Sequence, residues 1–172
     1  MIHSQPPADP LAHDFRAAMR QLAATVCVVT AGQGAERRGL TATAVCSLSV
    51  TPPSMLVCVN RQGAAHRAIT ENGCFCVNIL AADQLEVAHR FAGQAGAGEN
   101  KFAVGQWSRL ATGAPALDGA LINLDCTLSS DIETESHSIF IGHVKQIRFG
   151  DVKSPLLHYD RNFFSLENQT AL

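Results

Sequence analysis

The sequence predicts a mainly-β chain, an antiparallel β-barrel with helices at its periphery. Three observations lead there. From residue 25 onward, β-rich runs outnumber segments with helical spacing. No regular alternation of strand and helix appears, which argues against a doubly wound parallel sheet. Full or partial closure into a barrel also removes the exposed edges that so many strands would otherwise leave.

The elements follow in order. Residues 1–10 hold three of the seven prolines and read as a flexible N-terminal tail. Residues 11–23 read as a helix. Asp9 and Pro10 suit its start, and Phe15, Met19 and Leu22 recur at helical spacing. Thr25 to Thr30 is a β-rich run, and Gly32 to Gly39 is a polar turn. Leu40 to Val50 reads as one strand, with Thr41, Thr43, Val45, Ser47 and Ser49 on one parity, ended by Pro52-Pro53. Met55 to Asn60 is continuously apolar, as a strand buried on both faces would be. Ala64 to Glu71 is a short helix and Cys74 to Leu80 a further strand. Residues 82–92 form an amphipathic helix with Leu85, Ala88, His89 and Phe91 as its inner face. Gly93 to Asn100 is a glycine-bearing loop, and the stretch around Trp107 and Leu110 is irregular. Strands follow at Ala120–Ser130, Ser138–Phe149 and Pro155–Tyr159, and Phe163-Phe164 closes the chain.

Composition bounds the function. A length of 172 residues suits one domain, here residues 11–172 after the tail. With 47% hydrophobic and 16% charged residues the chain is globular, and its low charge favours a homo-oligomer. Thirteen basic residues against fifteen acidic ones leave no basic stripe, so nucleic acid is not an expected partner. The N-terminus has no signal-peptide pattern, and no apolar run approaches the roughly 20 residues that span a bilayer. A cytoplasmic protein without membrane contact is expected. The six cysteines form no CxxC pair, which disfavours a metal site. Cys27, Cys46, Cys58, Cys74 and Cys76 sit in apolar, strand-like runs and read as buried reduced thiols.

No Rossmann, P-loop, HExxH or GxSxG motif is present. Three stretches are chemically suggestive. Gly39 to Ser47 combines small residues and hydroxyls, a surface on which a flat heteroaromatic ring can approach the backbone. Asn60 to His66 follows a buried strand and enters a helix; loop amides, a helix N-terminus and the Arg61 guanidinium together can hold a phosphate. His137 lies at a strand mouth, where it can bond a ligand. Each has a plainer reading: a half-exposed Thr/Ser strand, an ordinary strand-to-helix turn, a surface histidine. Asp131, Glu133 and Glu135 read as a solvated acidic loop.

The order of these segments carries more information. Phe15 to Arg20, Thr25 to Thr30, Gly39 to Leu48 and Pro52 to Asn60 together resemble the short-chain NAD(P)H:flavin oxidoreductases. The branch with the reductase component of 4-hydroxyphenylacetate 3-monooxygenase is the most similar, and the flavin reductases of pyrimidine degradation are similar too. The resemblance continues through Cys76-Val77-Asn78, Phe91-Ala92-Gly93, Lys101-Phe102, Trp107, His137 and Pro155 to Phe164. It spans roughly residues 13–166, with residues 39–60 its most specific part.

The resemblance implies an FMN-binding split barrel, a Greek-key-like antiparallel barrel that works as a homodimer with flavin near the subunit interface. It implies hydride transfer from NADH or NADPH to FMN or FAD, supplying reduced flavin to a flavin-dependent monooxygenase. By position, Thr43, Ala44, Val45 and Cys46 would line the isoalloxazine through backbone contacts. Asn60, Arg61, Ala65 and His66 would hold the ribityl and phosphate end. Phe91, Lys101 and Phe102 would border the flavin tail, and Arg161 would reach the phosphate. His137 matches a histidine associated with nicotinamide binding. Three departures stand out. Glu135-Ser136-His137 replaces Gly-Asp-His, Gly63 replaces a frequent Ser, and His143 replaces a frequent Glu.

On this reading no side chain performs acid–base chemistry; the protein stacks two cofactor rings and excludes water. Three alternatives remain open: a flavoprotein reducing another acceptor such as a corrinoid (cob(II)yrinate a,c-diamide), a non-catalytic flavin-binding split barrel, and an interaction domain without cofactor.

Overall fold

The structure, a computed structural model, describes residues 9–94, 100–151 and 153–166. Residues 1–8 of the expected tail and 95–99 of the expected loop lie outside them.

Helix α1 spans Pro10–Met19, started by Pro10 at its first turn and by the Asp9 carboxylate, which accepts from the Leu11 amide at 3.0 Å. It ends before the expected residue 23 and buries none of its residues. Its apolar stripe, Leu11, Phe15 and Met19, faces solvent in the single chain.

Among the described residues twelve strands follow: β1 (Ala24–Thr25), β2 (Cys27–Ala31), β3 (Arg38–Ala42), β4 (Val45–Val50), β5 (Pro53–Asn60), β6 (Cys74–Ile79), β7 (Trp107–Arg109), β8 (Pro115–Leu117), β9 (Ile122–Glu133), β10 (His137–Phe149), β11 (Leu156–Tyr159) and β12 (Asn162–Ser165). Seven of them form one antiparallel sheet in the order β3-β2-β6-β9-β10-β5-β4. The two edge strands, β3 and β4, are consecutive in the chain and separated only by Thr43-Ala44. Two residues cannot carry the chain much beyond about 11 Å. The sheet must therefore curl until its edges nearly meet, and it stays open along the line between them. This is a split barrel, as the resemblance implies. The expected single strand over residues 40–50 is thus two strands, because continuing straight would run β3 off its edge instead of around the barrel.

The barrel interior is filled by Val29, Val57, Val59, Phe75, Val77 and Phe140 with their neighbours. Phe75 lies so close to β10 that a Cβ on Gly142 would come within 2.5 Å of its ring. Strands β2 and β6 are buried almost throughout. In β5, only Ser54, Val57 and Val59 are fully buried, so it is not the two-sided buried strand expected. It lies one place from the sheet edge, and its other face stays half open.

Helix α2 (Ala64–Asn72) crosses one end of the barrel and ends at Gly73 in the left-handed conformation. The expected helix over residues 82–92 is three pieces: a 3-10 turn at Ala82–Gln84, helix α3 (Leu85–His89) and a π turn at Arg90–Gln94. Ala88 and Phe91 are buried as expected and His89 is half-buried, while the changes of winding turn Leu85 outward and bring Val87 inside. A second core of Val26, Leu80, Phe91, Phe102 and Leu117 joins this segment to the barrel.

Strands β7 and β8 form a hairpin where an irregular stretch is expected. A buried polar network fixes it. Asn78 accepts from the Leu117 amide at 2.8 Å and from the Asn123 amide at 2.7 Å. The fully buried Asp125 accepts from the Thr112 backbone and hydroxyl. Strand β9 runs to Glu133, so the acidic residues from Asp131 belong to a strand end and only residues 134–136 turn. Strands β1, β11 and β12 form a small separate sheet, with Phe163 and Phe164 in β12.

Four of the five cysteines expected to be buried are at least half-buried, but Cys46 is exposed on β4. Burial pushes the Cys27 thiol up to about 12. Burial, then the nearby Asp125 carboxylate, takes Cys126 up to about 12 as well. Among the described residues no helix is long and apolar enough to cross a membrane.

Candidate active site

A cavity of about 690 Å³ opens where β3, the end of β5 and the start of α2 converge. Its lining includes four residues that the sequence singles out: Asn60, Ala65, Lys101 and Phe102. Each is positioned for a physical reason. Asn60 ends β5, and its carboxamide accepts from the Gln62 amide at 2.8 Å, shaping the turn into α2. Gly63 is the N-cap of α2 and offers no side-chain cap, so the first amides of the helix, beside Ala64 and Ala65, are open to an anion at the cavity wall. Lys101 carries a cationic head on the opposite wall and reaches the Phe91 carbonyl at 3.4 Å. Phe102 is buried edge-on against Phe91 and Trp107.

Phe91 does not line this cavity. It lies under the strand that does: a Cβ on Gly39 would meet its ring at 2.7 Å. Glycine at residue 39 lets β3 settle on the aromatic cluster, so Phe91 supports the floor from below.

Three further predicted residues ring the site without lining it. Arg61 is held away by Glu133 at 2.8 Å and by the Thr134 carbonyl at 3.0 Å. His66 bonds the buried Ser138 hydroxyl at 2.8 Å and tilts against Phe140, which pins α2 to β10. His137 pairs directly with Asn60 across β10 and β5, so the two side chains leave the sheet on the same face. Its Nδ1 lies 2.8 Å from the Ser136 hydroxyl, which orients the ring at the rim.

Thr43, Val45 and Cys46 line a different cavity of about 550 Å³, at the open seam of the barrel, with Met55, Ile79 and Leu124 behind them. Ala44 stands beside it, exposed, and its carbonyl accepts from the Cys58 amide at 3.0 Å. The two cavities share no lining residue. Arg161 is in neither; it sits in the turn between β11 and β12 with φ +65°, in the small separate sheet.

The larger cavity is also lined by Gly39 and Leu40, from the stretch expected to face a flat ring, and by Val59; Arg37 and Arg38, which line it too, carry no expected role. Arg37 lies over the Phe102 ring at 4.5 Å, while Arg38 pairs with Glu36 at 3.2 Å. The available signal was two adjacent arginines in a glycine-bearing turn, read there only as polar punctuation.

The donors suit a phosphorylated ligand. Arg37, Lys101 and the open end of α2 surround a concave wall, with Arg38 engaged by Glu36 beside them. No nucleophile–base pair lies in either cavity.

Comparisons with known proteins identify the family and the fold. Residues 19–167 match the model of the flavin reductase like domain. The FMN reductase (NADH) RutF of Stutzerimonas stutzeri (strain A1501) is 39% identical over 165 residues, 96% of this chain and 94% of its own length. Among solved structures, the flavin reductase component of a bacterial two-component tryptophan halogenase superposes with a TM-score of 0.83 at 34% identity, covering 92% of this chain and 99% of that one. The NADH:FAD oxidoreductase of Streptomyces globisporus C-1027, in complex with NAD and FAD fragments, gives a TM-score of 0.85 at 28% identity, covering 97% and 100%. With its split barrel and a match over residues 19–167, this chain belongs to the flavin reductase like family.

Proposed function

We propose that this protein is an NADH-dependent flavin reductase that passes hydride to FMN or FAD and supplies reduced flavin to a partner monooxygenase. The single observation that carries the reading is the convergence of Asn60, Ala65, Lys101 and Phe102 on one cavity next to the open seam at Thr43-Ala44. The flavin, when bound, accepts hydride at N5 from the nicotinamide C4. The chain's residues bind and orient. Lys101 and the α2 amides hold the phosphate end, and the Thr43–Cys46 backbone faces the ring. His137, across from Asn60, steadies the nicotinamide at the rim. His66 and Phe91 act as positioning residues beneath that surface. Arg61 is paired with Glu133 and Arg161 lines neither cavity, so neither is assigned to the phosphate.

The functional unit we propose is a cytoplasmic homodimer of a domain spanning residues 11–172. The support is apolar surface in the single chain: Leu11 is 74% exposed on α1 and Val50 87% exposed on the edge strand β4.

The deciding experiment follows NADH oxidation at 340 nm with no flavin, with FMN and with FAD. Oxidation that rises with added flavin is expected. Tight flavin binding without NADH oxidation overturns the reductase reading in favour of a binding protein.

A further inference from the structure

A second cavity, of about 320 Å³, adjoins the first, and Gly34 and Arg37 line both. The turn at residues 32–34 and the β7–β8 hairpin form its walls. Two of its lining residues are arginines, and among the described residues neither Arg37 nor Arg109 has an anionic partner. By contrast Arg38, Arg61 and Arg148 are each paired with a carboxylate. Arg37 is held over Phe102 at 4.5 Å, which places a pre-oriented guanidinium at the junction of the two cavities. Trp107 lines the second cavity with its indole fixed by a 2.8 Å bond to the Val104 carbonyl, and Gln33 adds a carboxamide.

An unpaired guanidinium at a junction, with an aromatic wall and a second guanidinium beyond, suits a diphosphate that links two ring systems. The inference rests on the flavin reading of the first cavity. We propose that the second cavity receives the adenosine end of FAD, with Arg37 on the diphosphate at the shared wall and Arg109 stacked over the adenine at the outer end. FMN, which stops at its single phosphate, leaves this cavity empty. The chain therefore prefers the dinucleotide flavin.

The test titrates FMN and FAD against wild type and Arg109→Ala by flavin fluorescence, without nicotinamide. Wild type is expected to bind FAD about tenfold more tightly than FMN, the worth of one charge-assisted contact. Arg109→Ala is expected to remove that advantage while the FMN titration stays within about twofold. Arg109 is exposed and outside the packed core, so the variant should keep the wild-type unfolding midpoint. Equal wild-type affinities that Arg109→Ala leaves unchanged overturn the assignment. A raised KM for NADH in Arg109→Ala, with both flavin titrations unchanged, gives the cavity to the adenosine of the nicotinamide nucleotide and also overturns it. If wild type binds neither flavin, the reductase reading itself fails, and this inference with it.

Discussion

His137 and Lys101 carry the two residue-scale predictions, because each stands where the proposed ligands differ. His137 shares a strand-pair position with Asn60 yet lies outside the flavin-type cavity. His137→Ala should raise the KM for NADH about fivefold, the loss of roughly one hydrogen bond. Flavin affinity in a separate fluorescence titration should hardly change; an unchanged NADH dependence would remove the role. Lys101 lines that cavity on the side we propose for the phosphate. Lys101→Ala should weaken FMN binding about tenfold, since an ammonium–phosphate contact is lost from a partly screened site. Equal FMN affinity in the variant would move the phosphate elsewhere. His143, the departure with no assigned role, pairs with Ser54 and Thr127 in the middle of the sheet, and nothing in the structure links it to either cavity.

At the scale of elements, β10 is the strand on which the site depends. It pairs with β5 and β9 and carries Ser138, Phe140 and His137 to three different tasks. It shifts register at Ile141/Gly142, where Phe75 presses against the backbone. Gly142→Ala should destabilise the protein by about 1–3 kcal/mol through overpacking. Urea unfolding should show a lower midpoint with the same slope. A midpoint equal to wild type would mean that Phe75 can move aside. The hairpin β7–β8 depends on the buried Asp125 and Asn78 in the same way, which is how a polar stretch without strand periodicity becomes regular.

For the whole molecule, two predictions follow from burial. Cys27 and Cys126 titrate near 12 when folded, against an ordinary value of 9.0. The unfolded chain therefore releases protons that the folded chain keeps. Their contribution to stability is complete below pH 9 and is lost as pH rises from about 9 towards 12. The loss should approach about 1 kcal/mol per pH unit per thiol in that window. Denaturant midpoints measured between pH 8 and pH 11 would check it, and Cys27→Ala should flatten the decline. The second concerns assembly. Leu48 and Val50 lie exposed on an edge strand, an arrangement that invites pairing or cover. If β4 lies in the proposed homodimer, Leu48→Glu should shift the mass in light scattering from twice the chain to one chain. A wild type that already runs as a single chain would overturn the dimer.

Much of the fold was legible because hydrophobic period survives in the strands that build the barrel interior. Residues 74–79 and 122–130 are strands where the pattern places them, since each must bury apolar side chains, whereas the single run expected at residues 25–30 is divided at Val26 between β1 of the small sheet and β2 of the barrel. The family was legible from the order of segments, above all residues 39–60. Three things were not. The break at Thr43-Ala44 carries no local signal, because β propensity runs straight through it; only curling of the sheet separates β3 from β4. Within residues 82–92, Ala88 and Phe91 face inward as expected, but Leu85 does not and Val87 does, because a 3.6-residue period does not hold through 3-10 and π turns. The Arg37 side of the site escaped notice because a cation gains meaning only from what faces it across space. By itself the sequence determined which segments must be buried and to which family they belong, for burial and segment order are written residue by residue. Only the tertiary structure decided which side chains share a cavity, because Arg37, Lys101 and Asn60 are far apart in the chain and only the closing of the barrel places them around one space.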